Sequence, residues 1–189
     1  MVSHVMEEAG LGHRLEDPDF IRILGENAKF AGLMDISGQK IFELRQKVAD
    51  QIHIPVDKLE KMIAPVESVY AIVDHTRCLS YMLGDCIVPS NVKDGYLARL
   101  VIRRTLRMMR DLGISDGVLT DLVGRQMEII GAGKFEQDPD VVCHILEREI
   151  EKYRTTMDRG MRTVERLAQT YRKKCEKIPP SELVTLYDS

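Results

Sequence analysis

Apolar residues recur at spacings of three and four along most of the chain, which is the period of an α-helix that packs one face against a core. Short segments rich in Gly, Pro, Ser and Asp interrupt this pattern. The predicted helices cover residues 2–10, 18–32, 37–52, 56–62, 68–84, 93–112, 118–130 and 139–175, with a last turn beginning at Ser181. The sequence therefore predicts an all-α, multi-helix domain of about eight helices with one long C-terminal helix.

Prolines mark several of the predicted boundaries. Pro139 stands at a first helical position, where the missing N–H has no helical partner to lose. Pro55 begins the segment 56–62, and Pro65 is predicted to end it, because an interior proline removes a hydrogen bond and crowds the preceding turn. Residues 56–62 and 68–84 are accordingly predicted to be two separate helices.

The predicted helix that begins at Lys93 carries arginines along one side. Four of them follow one another at spacings of four, four and three, so they form one stripe: Arg99, Arg103, Arg107 and Arg110. Apolar residues on the other side are predicted to form its buried face: Leu97, Val101, Met108 and Leu112. Arg104 falls among these apolar positions, so we expect it to be partly buried and paired with a carboxylate, for which Asp74 is the candidate.

Positive charge is concentrated around this helix. The whole chain has a net charge of −3, whereas residues 88–112 contain six basic side chains and two acidic ones. Arginine can donate two parallel hydrogen bonds to a phosphate. Ser90 and Asn91 precede the first turn of the helix, where they either cap it or reach base edges. The residues predicted to bind nucleic acid along the helix are Lys93, Arg99, Arg103 and Arg107. A solvated surface stripe is the alternative that the sequence leaves open.

Composition describes an ordinary globular chain. Hydrophobic residues make up 44% of it and charged residues 30%, while aromatic residues make up only 5%, a balance that favours helices over sheets. No apolar run reaches the ~18 residues that a membrane-spanning helix needs. The N-terminus also lacks the pattern of a signal peptide. We expect a cytoplasmic protein that does not bind membranes.

Neither the cysteines nor the one Asp–His pair indicates a catalytic or metal site. The four cysteines show no CxxC spacing, which is typical of reduced thiols in the cytoplasm: Cys78, Cys86, Cys143 and Cys175. Asp74 and His75 are adjacent on a predicted helix, so their side chains diverge by about 100° and do not face one substrate together. A structural role is favoured over the alternative of a catalytic pair, and no catalytic residue or metal ligand is predicted.

Several short motifs stand in one order along the chain. They are IVDHTR at residues 72–77, GD at 84–85, VPSN at 88–91, GYL at 95–97, IRR at 102–104 and LYDS at 186–189. Together they closely resemble the central helical region of the alanyl-tRNA synthetase family, and the forms GYLARLVIRRTLRMM and LYDS are similar to its archaeal branch. The motifs cover residues 70–189, and residues 1–66 match that region by position only.

The resemblance implies a tRNA-recognition domain excised from a larger enzyme, alanine–tRNA ligase, which attaches alanine to its tRNA using ATP. It implies ATP, magnesium and zinc for the parent enzyme. The chain lacks the family's antiparallel-sheet core with its ATP-binding arginines, and also the zinc-bearing editing domain, so we expect a fragment with no catalytic centre and no cofactor of its own.

The resemblance also implies a division of the chain and a set of partners. Residues 1–66 are expected to be the helical segment that follows the catalytic core, and residues 67–189 to recognise the acceptor stem. The expected partners are the acceptor stem of alanine tRNA and the catalytic and editing domains of the parent chain. A free-standing helical module that binds nucleic acid or protein is the alternative.

Two residues match the positions with which this family reads a G·U wobble pair. Asn91 matches the asparagine of its PSN motif, and Asp188 matches the aspartate of its LYD motif. In such a pair the guanine amino group is left unpaired in the minor groove, where a carboxylate accepts its hydrogen and an amide can donate to uracil O2. The resemblance therefore implies that both residues recognise the wobble pair. Without it, Asn91 is better explained as a helix cap and Asp188 as a surface residue.

Overall fold

The computed structural model describes residues 1–31 and 38–187, and the regular structure in these ranges is entirely helical. The α-helices are α1 (Val2–Glu8), α2 (Pro18–Ala31), α3 (Gly38–Gln51), α4 (Val56–Gly84), α5 (Lys93–Asp111), α6 (Val118–Ile130), α7 (Pro139–Lys173) and α8 (Pro180–Tyr187). The prediction of an all-α domain with this number of helices is confirmed, and α7 is the long C-terminal helix.

Helix α4 continues through a predicted break. Pro65 lies inside α4, so the prediction of two helices at residues 56–62 and 68–84 is wrong. Ile63 and Val66, on either side of Pro65, are both buried. Full burial of such side chains contributes about 1.5–3 kcal/mol each, which offsets the roughly 3 kcal/mol that an interior proline costs a helix. Packing on both sides of the proline therefore keeps α4 continuous.

Helix α4 lies at the centre of the fold and carries two apolar clusters. The larger cluster joins its later turns to α1, α5, α6 and the first half of α7. The smaller cluster joins α2, α3 and the first turns of α4 through Ile23, Val48, Ala49, Leu59 and Ile63. Both clusters meet on this one helix, which spans residue 66. The division of the chain at residue 66 stays a prediction.

The buried face of α5 lies one residue further along the helix than predicted. The fully buried apolar residues are Ala98, Ile102, Leu106 and Met109. Leu97, from the predicted face, is 50% exposed, and the other three members of that face are only partly buried. One residue corresponds to a rotation of about 100° around the helix axis, so the predicted residues lie at the edge of the buried face or beyond it. The predicted spacing is right and its phase is wrong.

This rotation changes which arginine of α5 is buried. Arg104 is exposed, and within the described residues no ion pair joins it to Asp74, so the predicted buried pair is wrong. Arg104 lies two positions beyond the buried Ile102, a rotation of about 200°, which places it on the solvent side. Arg99 is instead the most enclosed arginine of α5, with 16% of its side chain exposed.

Three further features concern the described part of the chain. None of its helices combines the length and the apolar character needed to cross a bilayer. Its His, Cys, Asp and Glu side chains do not gather in groups of three that could hold a metal ion. The four cysteines are free thiols.

Candidate nucleic-acid interface

The turn between α4 and α5 folds back onto the first turn of α5. The backbone N–H of Ser90 donates to the carbonyl of Gly95, 2.9 Å away, and the Ser90 hydroxyl bonds the backbone of Val92. Val92 is the N-cap of α5 and no side chain caps this helix, which excludes the alternative that Ser90 or Asn91 caps it. The Ser90 side chain is engaged within the turn, and the Asn91 side chain is engaged with Arg99.

Close packing of this turn requires a glycine at position 95. Gly95 is buried, and a β-carbon added to it would overlap the carbonyl oxygen of Val88 and the hydroxyl of Ser90. The absence of a side chain lets the backbone of the turn touch α5. Asn91 is thereby held at the mouth of the helix.

Arg99 ties the turn to α7. Its Nε and Nη2 atoms donate to the two carboxylate oxygens of Glu149, each at 2.9 Å. Nη2 also donates to the carbonyl oxygen of Pro89, 3.1 Å away, and Nη1 donates to Oδ1 of Asn91. All but one of the N–H groups of the guanidinium therefore have protein acceptors. Phosphate binding by Arg99 stays a prediction, with one N–H group left to serve it.

Glu149 is buried among cations. Only 4% of its side chain is exposed, and Nζ of Lys152, on the next turn of α7, lies 2.7 Å from its Oε1. Burial by itself raises the pKa of the Glu149 carboxyl, but the hydrogen bonds from Arg99 and Lys152, together with their charges, outweigh burial and lower the pKa. The hydrogen bond to Glu149 also raises the pKa of the Arg99 guanidinium. The pair is therefore fully charged at neutral pH.

A groove of about 520 Å³ lies between the turn, α5 and α7. Its lining consists of Asn91, Arg99, Arg103, Glu151, Lys152, Thr155, Thr156 and Arg159. Apart from Arg99, whose charge is balanced by Glu149, the lining has three cations and one carboxylate. The groove combines positive charge with amide and hydroxyl groups, which is the chemistry that binds a nucleic-acid backbone and reaches its base edges.

The α7 side of this groove is missing from the sequence-based prediction. Basic residues recur along one side of α7 at spacings of three, four and seven: Arg148, Lys152, Arg159, Arg162, Arg166 and Lys173. All six are exposed. This spacing is the signal that could have identified the surface, because it places the residues on one helical face. The net charge of α7 does not reveal this basic face, because acidic residues occupy the other sides of the helix.

The predicted nucleic-acid-binding residues are only partly brought together. Asn91 and Arg103 line the groove beside Arg99. Lys93 and Arg107 are exposed on α5 but are not part of the groove lining. Asp188 lies outside the described residues.

His75 supports the packing of α4 against α5. Its Nδ1 lies 3.0 Å from Oγ1 of Thr105, which itself donates to the carbonyl of Val101, so Nδ1 carries the hydrogen of this bond. Burial lowers the pKa of His75, the charge of Arg104 lowers it further, and Asp74 partly opposes both effects. His75 is therefore neutral at pH 7.

This chain is similar to known proteins over its whole length. The model of the family described as tRNA synthetases class II (A) matches residues 12–189. Proteins named alanine–tRNA ligase from Methanospirillum hungatei, Methanoregula boonei and Methanocorpusculum labreanum are 80%, 60% and 61% identical to it, each over 100% of the chain. The chain spans 21% of the length of each of these curated relatives.

Proposed function

The chain belongs to the family of class II (A) tRNA synthetases, and we propose from that premise that it is the tRNA-recognition domain of an alanine–tRNA ligase of the archaeal type. The observation that carries the proposal is the 80% identity over the whole chain with a protein named alanine–tRNA ligase. In this role the chain binds the acceptor stem of alanine tRNA and recognises a G·U wobble pair in it.

The position of Asn91 supports recognition of a base pair. Asn91 is exposed at the groove, its Oδ1 is bound to Arg99, and its NH2 group has no protein acceptor among the described residues. The minor groove of an RNA helix is wide and shallow. A side chain at the edge of the protein groove can therefore reach base edges in it. Asn91 donates to the uracil edge in this proposal. Asp188, outside the described residues, accepts from the unpaired guanine amino group.

Positive side chains around the groove bind the phosphate backbone in this proposal. Arg103 on α5 faces Lys152 and Arg159 on α7 across the groove, and Lys93 and Arg107 extend the positive surface along α5. Such contacts fix the register of the RNA and carry no sequence information themselves. The two helices together hold the backbone while Asn91 contacts the wobble pair.

The aminoacylation activity belongs to the whole ligase in this proposal. There ATP activates alanine, and the alanyl group is transferred to the tRNA. The catalytic and editing domains of the parent chain are the partners of this domain. The domain contributes binding and selection of the tRNA.

Binding of this chain to two short RNA stem-loops tests the proposal. Both carry the acceptor-stem sequence of an alanine tRNA and differ only in a G·U or a G·C pair at the wobble position. We expect the G·U stem to bind at least about fivefold more tightly, because each base-edge contact contributes about 1–3 kcal/mol. Affinity for both stems should fall as salt rises. Equal affinity for the two stems at every salt concentration would refute the proposal.

A further inference from the structure

Arg99 fixes the direction in which the Asn91 amide points. A guanidinium has hydrogen-bond donors and no acceptor, so the atom of Asn91 that faces Nη1 of Arg99 must be the amide oxygen. The NH2 group then points away from Arg99, and no protein acceptor for it lies in the described part of the chain. Asn91 therefore presents hydrogen-bond donors to a ligand in the groove.

Arg99 is itself held from several sides. Both carboxylate oxygens of Glu149 accept from it at 2.9 Å, and the Pro89 carbonyl accepts at 3.1 Å. Glu149 is 4% exposed, and Lys152 binds the same carboxylate at 2.7 Å. Rotation of the guanidinium would break this bidentate pair and leave a buried charge without its partner. The orientation of Asn91 is consequently determined by residues of α5 and α7 that lie behind it.

We propose that Arg99 and Glu149 are positioning residues that set the hydrogen-bond polarity of the recognition site. They orient Asn91 so that its NH2 group donates to uracil O2, an acceptor that the wobble geometry displaces from the place of cytosine O2 in a G·C pair. This inference rests on the proposed function and deepens it. Without Arg99, the terminal amide torsion of Asn91 has two broad orientations. Only one of these orientations points the NH2 group at the RNA. The affinity for the G·U stem therefore falls in proportion to the fraction of molecules in that orientation.

Three substitutions test this role, each measured as the ratio of the Kd values for the G·C and G·U stems. Arg99→Lys keeps a positive charge beside Glu149 but cannot bind Glu149, Pro89 and Asn91 at once. Glu149→Gln removes the charge that holds Arg99. Asn91→Asp keeps an oxygen towards Arg99 and replaces the NH2 group with a second oxygen. We expect Asn91→Asp to abolish the discrimination ratio, and the other two to lower it about twofold, as one competent orientation out of two implies.

A matched control separates positioning from a general effect of the substitution. Arg110 lies on the same helix, but its guanidinium lies 3.9 Å from Asp116 and 5.3 Å from the centroid of the Tyr153 ring. Arg110→Lys should therefore leave the ratio unchanged. Circular dichroism at the temperature of the binding measurement establishes that each variant is folded. A purely structural role of Arg99 and Glu149 would lower the affinity for both stems alike and keep their ratio, which would overturn the inference.

Atomic replacements in the RNA identify the group that Asn91 contacts. In a G·U stem with 2-thiouracil, a weak sulfur acceptor replaces O2, so the discrimination should fall and Arg99→Lys should cost nothing further. In a stem with hypoxanthine for guanine, the amino group is missing, and the cost of Arg99→Lys should persist. Failure of the wild-type chain to discriminate G·U from G·C would remove the proposed function and this inference together. Discrimination that survives both Arg99→Lys and Glu149→Gln would remove the inference alone.

Discussion

Arg99 of α5 and Glu149 of α7, 50 residues apart in sequence, are joined by two hydrogen bonds of 2.9 Å between guanidinium and carboxylate. This pair takes the place of the Arg104–Asp74 pair that the sequence predicts. It connects the turn that carries Asn91 to the helix that forms the other side of the groove. The same contact therefore stabilises the fold and shapes the candidate interface.

Removing the carboxylate of this pair should strongly destabilise the chain. Glu149→Ala leaves Arg99 largely buried without its partner, and breaking a buried ion pair in this way typically costs about 3–5 kcal/mol. Arg104 is an exposed residue of α5. Its replacement by alanine should change the free energy of unfolding by no more than about 0.5 kcal/mol. Urea denaturation followed by circular dichroism measures both. A cost for Glu149→Ala below about 1 kcal/mol would place the pair among surface ion pairs.

Glu149 should also give the stability a defined pH dependence. Its folded pKa is lowered, so its ionisation stabilises the folded state above the unfolded pKa of about 4.3, and this contribution is lost as the pH falls through the folded pKa. The difference in unfolding free energy between the wild-type chain and Glu149→Gln should be constant from about pH 6 to 8 and shrink below about pH 4.5. Urea denaturation at a series of pH values measures it. A difference that grows on acidification would mean that the folded pKa is raised.

Adding one methyl group at position 95 should disturb the turn. Gly95→Ala puts a β-carbon into the carbonyl of Val88 and the hydroxyl of Ser90, and overpacking of this kind costs about 1–3 kcal/mol. Gly124→Ala in α6 is the matched control. Apart from its chain neighbours and the nearby backbone of α6, no atom lies within 4 Å of the added carbon there, so the change should be neutral or stabilising by up to about 1 kcal/mol. Thermal unfolding of both variants decides the matter, and equal effects would contradict the close approach of turn and helix.

Arg103 should contribute to affinity without contributing to specificity. Arg103→Gln should weaken binding to the G·U and G·C stems alike and reduce the slope of log K against log salt by about one unit, as expected for one lost phosphate contact. Arg154→Gln on α7 is a suitable control, because Arg154 is bound to Asp116 at 3.1 Å and does not line the groove. A loss confined to the G·U stem would instead make Arg103 a reader of bases.

Local signals predict most of the helices, and packing decides the rest. Gly131 ends α6 where the sequence predicts, because the backbone there has a positive φ of 104° that suits glycine. Pro65 is a strong local signal that fails, because the apolar residues around it are buried in two clusters. The phase of α5 is also undetermined by sequence. Leu97 and Ala98 begin two adjacent apolar rows, and only the neighbouring helices select which row is buried.

Some residues of the candidate site can be predicted from the sequence, whereas others depend on how the helices pack. The helical spacing of the arginines predicts Arg103, whereas Asn91 is predicted through the PSN motif of the family, without which the sequence favours a helix cap. The contributions of Glu149 and Lys152 depend on α7 packing beside α5, and no local pattern specifies that contact. Arg99 shows why the packing of α7 matters for the role of a residue. Its position in the arginine stripe predicts phosphate binding, whereas its contacts assign most of its donors to the protein itself.

A double-mutant cycle between protein and RNA measures whether Asn91 contacts the wobble pair. The Kd of the wild-type chain and of Asn91→Ala is measured for the G·U and G·C stems under one salt condition. We expect Asn91→Ala to weaken binding to the G·U stem by about 1–3 kcal/mol and to leave binding to the G·C stem nearly unchanged. Equal losses on the two stems would contradict it, because Asn91 would then support the turn without contacting the base pair.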